Sequence, residues 1–84
     1  MDPKKPHIEY PCPWTYTLIG LDEEDMRLQI GSVLKGRPHK VSYSKRSAQG
    51  KYHSLNVDLQ VESEEDRNHI FNELKKHPGV RMIL

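Results

Sequence analysis

The sequence predicts an α+β domain: a four-stranded antiparallel sheet, in the order 4-1-3-2, with two helices on one face. Three observations predict it. From Tyr52 to Glu62, apolar Leu55, Val57, Leu59 and Val61 alternate strictly with Ser54, Asn56, Asp58, Gln60 and Glu62. Such alternation marks a strand with one buried face and one wet face. Two stretches with acidic starts and helically spaced apolar residues follow strand-like runs, at 22–34 and 63–76. Between them, Gln49-Gly50-Lys51 turns one strand directly into the next, with no room for a helix. The order is therefore β-α-β-β-α-β. Right-handed crossovers in each half, joined by that hairpin, make it a ferredoxin-like sandwich with the 52–62 strand inside the sheet.

Residues 1–13 hold four of the six prolines, at Pro3, Pro6, Pro11 and Pro13, and are expected to form a flexible arm before a single domain at 14–84. Trp14 to Ile19 is β-branched and aromatic, the first strand, and Gly20 punctuates it. Asp22 is a cap, and Glu23, Glu24 and Asp25 suit the positive end of a helix dipole. Met26, Ile30, Val33 and Leu34 then form one stripe, closed by a basic last turn and by Gly36 and Pro38. The second strand, Lys40 to about Arg46, is polar enough to be an edge. Ser63-Glu64-Glu65-Asp66 reads as a capping box, and Ile70, Phe71 and Leu74 are the buried face of the second helix. Val80 to Leu84 is the last strand, with Val80, Met82 and Leu84 expected inward.

Composition narrows the function classes. A net charge of +1 steers the whole molecule toward neither nucleic acid nor acidic membranes. A single cysteine, Cys12, excludes an internal disulfide framework, and its place between two prolines offers no base to activate it. No signal peptide and no apolar run long enough for a bilayer is visible, so a cytoplasmic protein is expected. The five histidines are scattered without zinc-like spacing, and no nucleophile elbow organises Ser, His and Asp. Neither an enzyme, a metal nor a cofactor is expected.

Pro11-Cys12-Pro13-Trp14, the run Ser47-Ala48-Gln49-Gly50-Lys51-Tyr52-His53-Ser54 and the closing Val80-Arg81-Met82-Ile83-Leu84 resemble the YbeD-like family, bacterial domains of unknown function. The likeness runs from about Pro11 to Leu84. It implies a ferredoxin-like fold close to ACT-type regulatory domains, which bind small effectors and pair through their sheets. A homodimer is expected on that ground. One junction departs: Gly20-Leu21-Asp22-Glu23-Glu24 stands where a typical ACT domain has an aspartate, a proline and a glycine. The acidic cluster argues against an amino-acid site there.

Charge is segregated along the chain: no acid lies from Met26 to Val57, while Arg27, Lys35, Arg37, Lys40, Lys45, Arg46 and Lys51 do. An anion groove would need these gathered in space. The topology instead sets each basic group against an acidic helix start at its own end of the molecule, which favours a solvated, dipole-matched surface. The densest polar run is the hairpin end, so Lys45, Ser47, Gln49, Gly50, Lys51, Tyr52, His53 and Ser54 are the candidate surface for a protein partner or small effector. The alternative is an RRM-like RNA-binding module stacking bases on strands one and three. For that, only Tyr52, and one of Trp14/Thr15 or Tyr16/Thr17 by parity, could stack, and Asp58 would repel phosphate. Neither nucleic acid nor a membrane is expected as a partner. His53 shares the parity of Leu55 and is expected to be hydrogen-bonded at the core margin rather than to act as a proton switch.

Overall fold

The computed structural model describes residues 8–44 and 52–84. Its elements follow the expected order: β1 (Cys12–Gly20), α1 (Glu23–Leu34), β2 (His39–Tyr43), β3 (His53–Val61), α2 (Glu64–Lys75) and β4 (Val80–Ile83). The sheet runs β2-β3-β1-β4, all pairs antiparallel, the order expected.

β3 behaves as its alternation demands. Leu55, Val57, Leu59 and Val61 are buried beneath the helices, in one cluster with Tyr16 and Leu18 of β1. Met26, Ile30 and Leu34 of α1 and Ile70 and Leu74 of α2 close that cluster from above. Asn56 and Asp58 stay on the opposite, helix-free face, only partly covered. The caps also form as read. Asp22 accepts the backbone N–H of Asp25 at 3.0 Å, and Ser63 that of Asp66 at 3.0 Å.

Four details differ from the sequence reading. β1 begins at Cys12, so the sheet takes up two residues assigned to the arm. Pro13 is tolerated there for a geometric reason. Thr17 exchanges both backbone bonds with Leu84, so alternate residues back to Pro13 turn the same edge, away from β3. No described strand lies beside that edge at Pro13, so its missing N–H costs no ladder bond. Second, the last turn of α1 holds no basic residue. Lys35 is instead the C-cap itself, left-handed at φ 47°, and Gly36 follows at φ 83°. Third, β2 starts at His39, one residue early, and ends at Tyr43, before Ser44.

The fourth concerns β4. Met82 and Leu84 are 53% and 60% exposed, and the inward residues are Val80 and Ile83. Gly20 pairs with Val80 but Ile19 with Met82, so a bulge at Arg81 inserts one extra residue. One inserted residue moves every later side chain to the other face, which strict alternation from Val80 could not foresee.

Candidate functional site

The expected surface lies where β2 ends and β3 begins. Lys45, Ser47, Gln49, Gly50 and Lys51 lie outside the described residues; Tyr52, His53 and Ser54 lie within them. His53 and Tyr43 share the helix-side rim of the sheet. The Tyr43 hydroxyl and His53 Nδ1 share a 2.8 Å hydrogen bond, and the rings meet edge to face with centroids 6.0 Å apart. His53 is thus hydrogen-bonded at the core margin, as its parity implied. Tyr43 remains 44% exposed, an aromatic held in place yet presented to solvent.

Ser54 turns the other way and pairs with Ile19 of β1, while the Ser44 N–H donates to its carbonyl at 2.8 Å. Both serines are buried, and among the described residues the Ser54 hydroxyl has no hydrogen-bond partner. An orphaned buried hydroxyl is uncommon enough to mark its place.

The helix-free face is a polar ladder. The Thr15 hydroxyl donates to the Asp58 carboxylate, and the Thr17 hydroxyl to the Asn56 carbonyl at 2.8 Å. Lys40 stands across from Asp58 on β2. Trp14 and Tyr16 go to the helix side instead, so β1 offers threonines, not aromatics, where an RRM-like platform needs rings. Tyr16 is 2% exposed and donates its hydroxyl to the Arg67 carbonyl at 2.6 Å; burial pushes its pKa up to about 12. The Arg67 guanidinium lies 4.6 Å from the Trp14 ring centroid.

Each end of the helical layer carries a cross-tie. At one, Arg37 grips Asp66 through two 2.8 Å bonds and reaches the Gln60 carbonyl at 3.0 Å. The Arg37 guanidinium, helped by the Glu62 N–H, holds the Asp66 carboxyl down at about 2, against the opposing effect of burial. The same bond raises the Arg37 pKa. At the other end, His77 Nε2 meets Asp25 Oδ2 at 2.7 Å. Scattered histidine spacing gave no hint of this contact; the only available signal was the topology that brings the start of α1 to the end of α2. The same closeness explains Gly20, where a Cβ would strike the Gly79 carbonyl and come within 2.8 Å of Met26 Sδ. Among the described residues no group of three or more His, Cys, Asp or Glu is placed to hold a metal ion. No helix is long and apolar enough to cross a membrane.

These features define a ferredoxin-like α+β domain with one bare sheet face and an aromatic rim. A family model described as "Protein of unknown function (DUF493)" matches residues 5–84, and the chain belongs to that family. The YbeD-like resemblance read from the hairpin and the closing strand is thereby upheld. A Helicobacter pylori protein is 35% identical over 75 residues, 89% of this chain and 87% of that protein. A UPF0250 protein of Hahella chejuensis is 31% identical over 83 residues, covering 94% of this chain and 91% of its own length. The solution structure of HP0495 from H. pylori superposes with a TM-score of 0.81 at 32% identity, over 99% of this chain and 91% of that one. The ACT domain from the GTP pyrophosphokinase of Chlorobium tepidum superposes at TM-score 0.64 and 17% identity, over 86% and 94%, a likeness of fold.

Proposed function

We propose that this protein is a non-enzymatic regulatory or adaptor domain that binds a protein partner or small effector at the hairpin end of its sheet, 45–54. The observation that carries the reading is the Tyr43–His53 pair. An exposed aromatic whose hydroxyl is already anchored loses little freedom on binding, and such residues dominate recognition surfaces. The Ser54 hydroxyl, next in the chain on the opposite face and orphaned among the described residues, adds support. So does the ACT-like fold, since the similar domain from GTP pyrophosphokinase belongs to a larger enzyme. Pairing of two copies through their sheets is part of the same proposal, and light scattering reads it directly. A cytoplasmic location is consistent with the lone cysteine and a chain that is 30% charged.

The test is a triple variant, Lys51→Ala with Tyr52→Ala and His53→Ala. It should keep the thermal midpoint within a few degrees yet lose cross-linked partners, or lose the chemical-shift response to an effector panel. An unaltered partner and effector profile overturns the proposal. Single-stranded RNA titrated at low salt should leave β1 and β3 amides unmoved; shifts there would favour the nucleic-acid class instead.

A further inference from the structure

A groove follows the outer flank of α2, between that helix and the β4 edge of the sheet. Two clefts of about 230 Å³ and about 400 Å³ form it and share Phe71. The first is lined by Lys75, Val80, Arg81 and Ile83, the second by Trp14, Arg67 and Leu84 among others. Among the described residues neither lining includes an Asp or Glu, whereas three cations border it. Arg67 has a 3.7 Å contact to Glu64, but Lys75 lies over the Phe71 ring, at 5.9 Å, and among the described residues no acid is paired to it or to exposed Arg81.

The rim of this groove is a strand edge. β4 is outermost in the sheet. Leu84 spends its N–H and C=O on Thr17, so the N–H and C=O of the preceding Ile83 point outward. The bulge at Arg81 blunts the start of this edge but leaves Ile83 open to pairing. Met82 and Leu84 flank it, both more than half exposed.

We propose that this edge docks an extended, acidic segment of a partner protein, which adds as a fifth strand beside β4. Main-chain pairing at Ile83 supplies the register. Carboxylates on the segment meet Lys75 and Arg81 on the helix side, and its alternate apolar side chains lie against Met82 and Leu84 on the other face. A second copy fits less well: a two-fold pairing of β4 with itself brings together two cation-bordered edges whose described linings hold no acid. Single-stranded nucleic acid would find the cations but no open ring, because Arg67 already lies over Trp14 and Phe71 is half-buried. The inference rests on the α2–β4 edge alone and stands apart from the hairpin surface.

The experiment titrates the labelled full chain with a capped heptapeptide of alternating glutamate and valine, then with its lysine–valine counterpart and with decathymidylate. The acidic peptide should shift the Val80–Leu84 amides and slow hydrogen exchange at Ile83. Lys75→Glu combined with Arg81→Glu, both exposed positions, should weaken that peptide about tenfold or more and strengthen the basic one. Equal binding of both peptides to the unmodified chain overturns the proposal, as do unmoved β4 amides. Shifts from decathymidylate alone replace the peptide with nucleic acid. A dimer by sedimentation that protects Ile83 without peptide replaces it with a second copy. Shifts confined to Tyr52–Ser54 sink this proposal and leave the hairpin reading standing.

Discussion

Asp66 concentrates more structural duty than any other single side chain described here. Its carboxylate takes two bonds from Arg37 and one from the Glu62 N–H, while its own N–H is capped by Ser63. A carboxyl held at about 2 in the fold and near its ordinary value in the unfolded chain binds protons more readily when unfolded. Its contribution is therefore present in full above pH ~4 and lost as pH falls toward ~2, about 1–2 kcal/mol after allowing for partial solvent screening. Asp66→Asn should lower stability by that amount at pH 7. The gap to the parent should close by pH ~2, read by urea denaturation across the series. A gap that persists at low pH would mean the bonds are not charge-assisted. Tyr16 titrates in the opposite sense. With its pKa raised by burial to about 12, the stability it lends is present below pH ~10 and lost between there and ~12. Tyr16→Phe should cost about 1 kcal/mol at neutral pH, the net worth of its bond to the Arg67 carbonyl, and should remove that alkaline loss. An unchanged alkaline limb would assign the loss to another group.

At the scale of elements, legibility follows the strength of the local pattern. The Leu55 to Val61 alternation and the caps Asp22 and Ser63 each satisfy a local physical demand, so they were readable without coordinates. β4 was readable as a strand but not in its facing, because a bulge is set by the neighbouring β1 and by the crowded Gly20–Gly79 contact. The start of β1 was hidden because composition weighs prolines, whereas the sheet asks only which edge each nitrogen faces. Of the candidate surface, sequence parity placed His53 correctly. Its partner Tyr43 was missed, since a diagonal contact across two strands depends on the register of the hairpin. The β4 facing has its own check. Met82→Glu, on an exposed position, should change stability by less than about 0.5 kcal/mol. Ile83→Glu, which packs against the core cluster, should cost about 2 kcal/mol or more. The reverse ranking, read by denaturant midpoints, would restore the unbulged register.

Across the whole molecule, the two ends of the helical layer are tied separately. Arg37–Asp66 joins the segment after α1 to the start of α2, and Asp25–His77 joins the start of α1 to the segment after α2. Between them Met26, Ile30, Leu34, Ile70 and Leu74 form an apolar layer against the sheet, crossed by the bond from the Tyr16 hydroxyl to the Arg67 carbonyl. Of the basic stretches, the described residues show the one after α1 meeting the acidic start of α2, through Arg37 and Asp66. Independent ties predict additive losses. His77→Ala should cost about 0.5–1 kcal/mol, because its partner Asp25 is nearly half exposed and loses little desolvation support. Combined with Asp66→Asn, the loss should equal the sum of the two within about 0.5 kcal/mol. A double variant clearly less damaged than that sum would show that one tie already fails when the other is cut. The helices would then shift as a rigid pair over the sheet, and the hairpin surface and the β4 edge would no longer be separable sites.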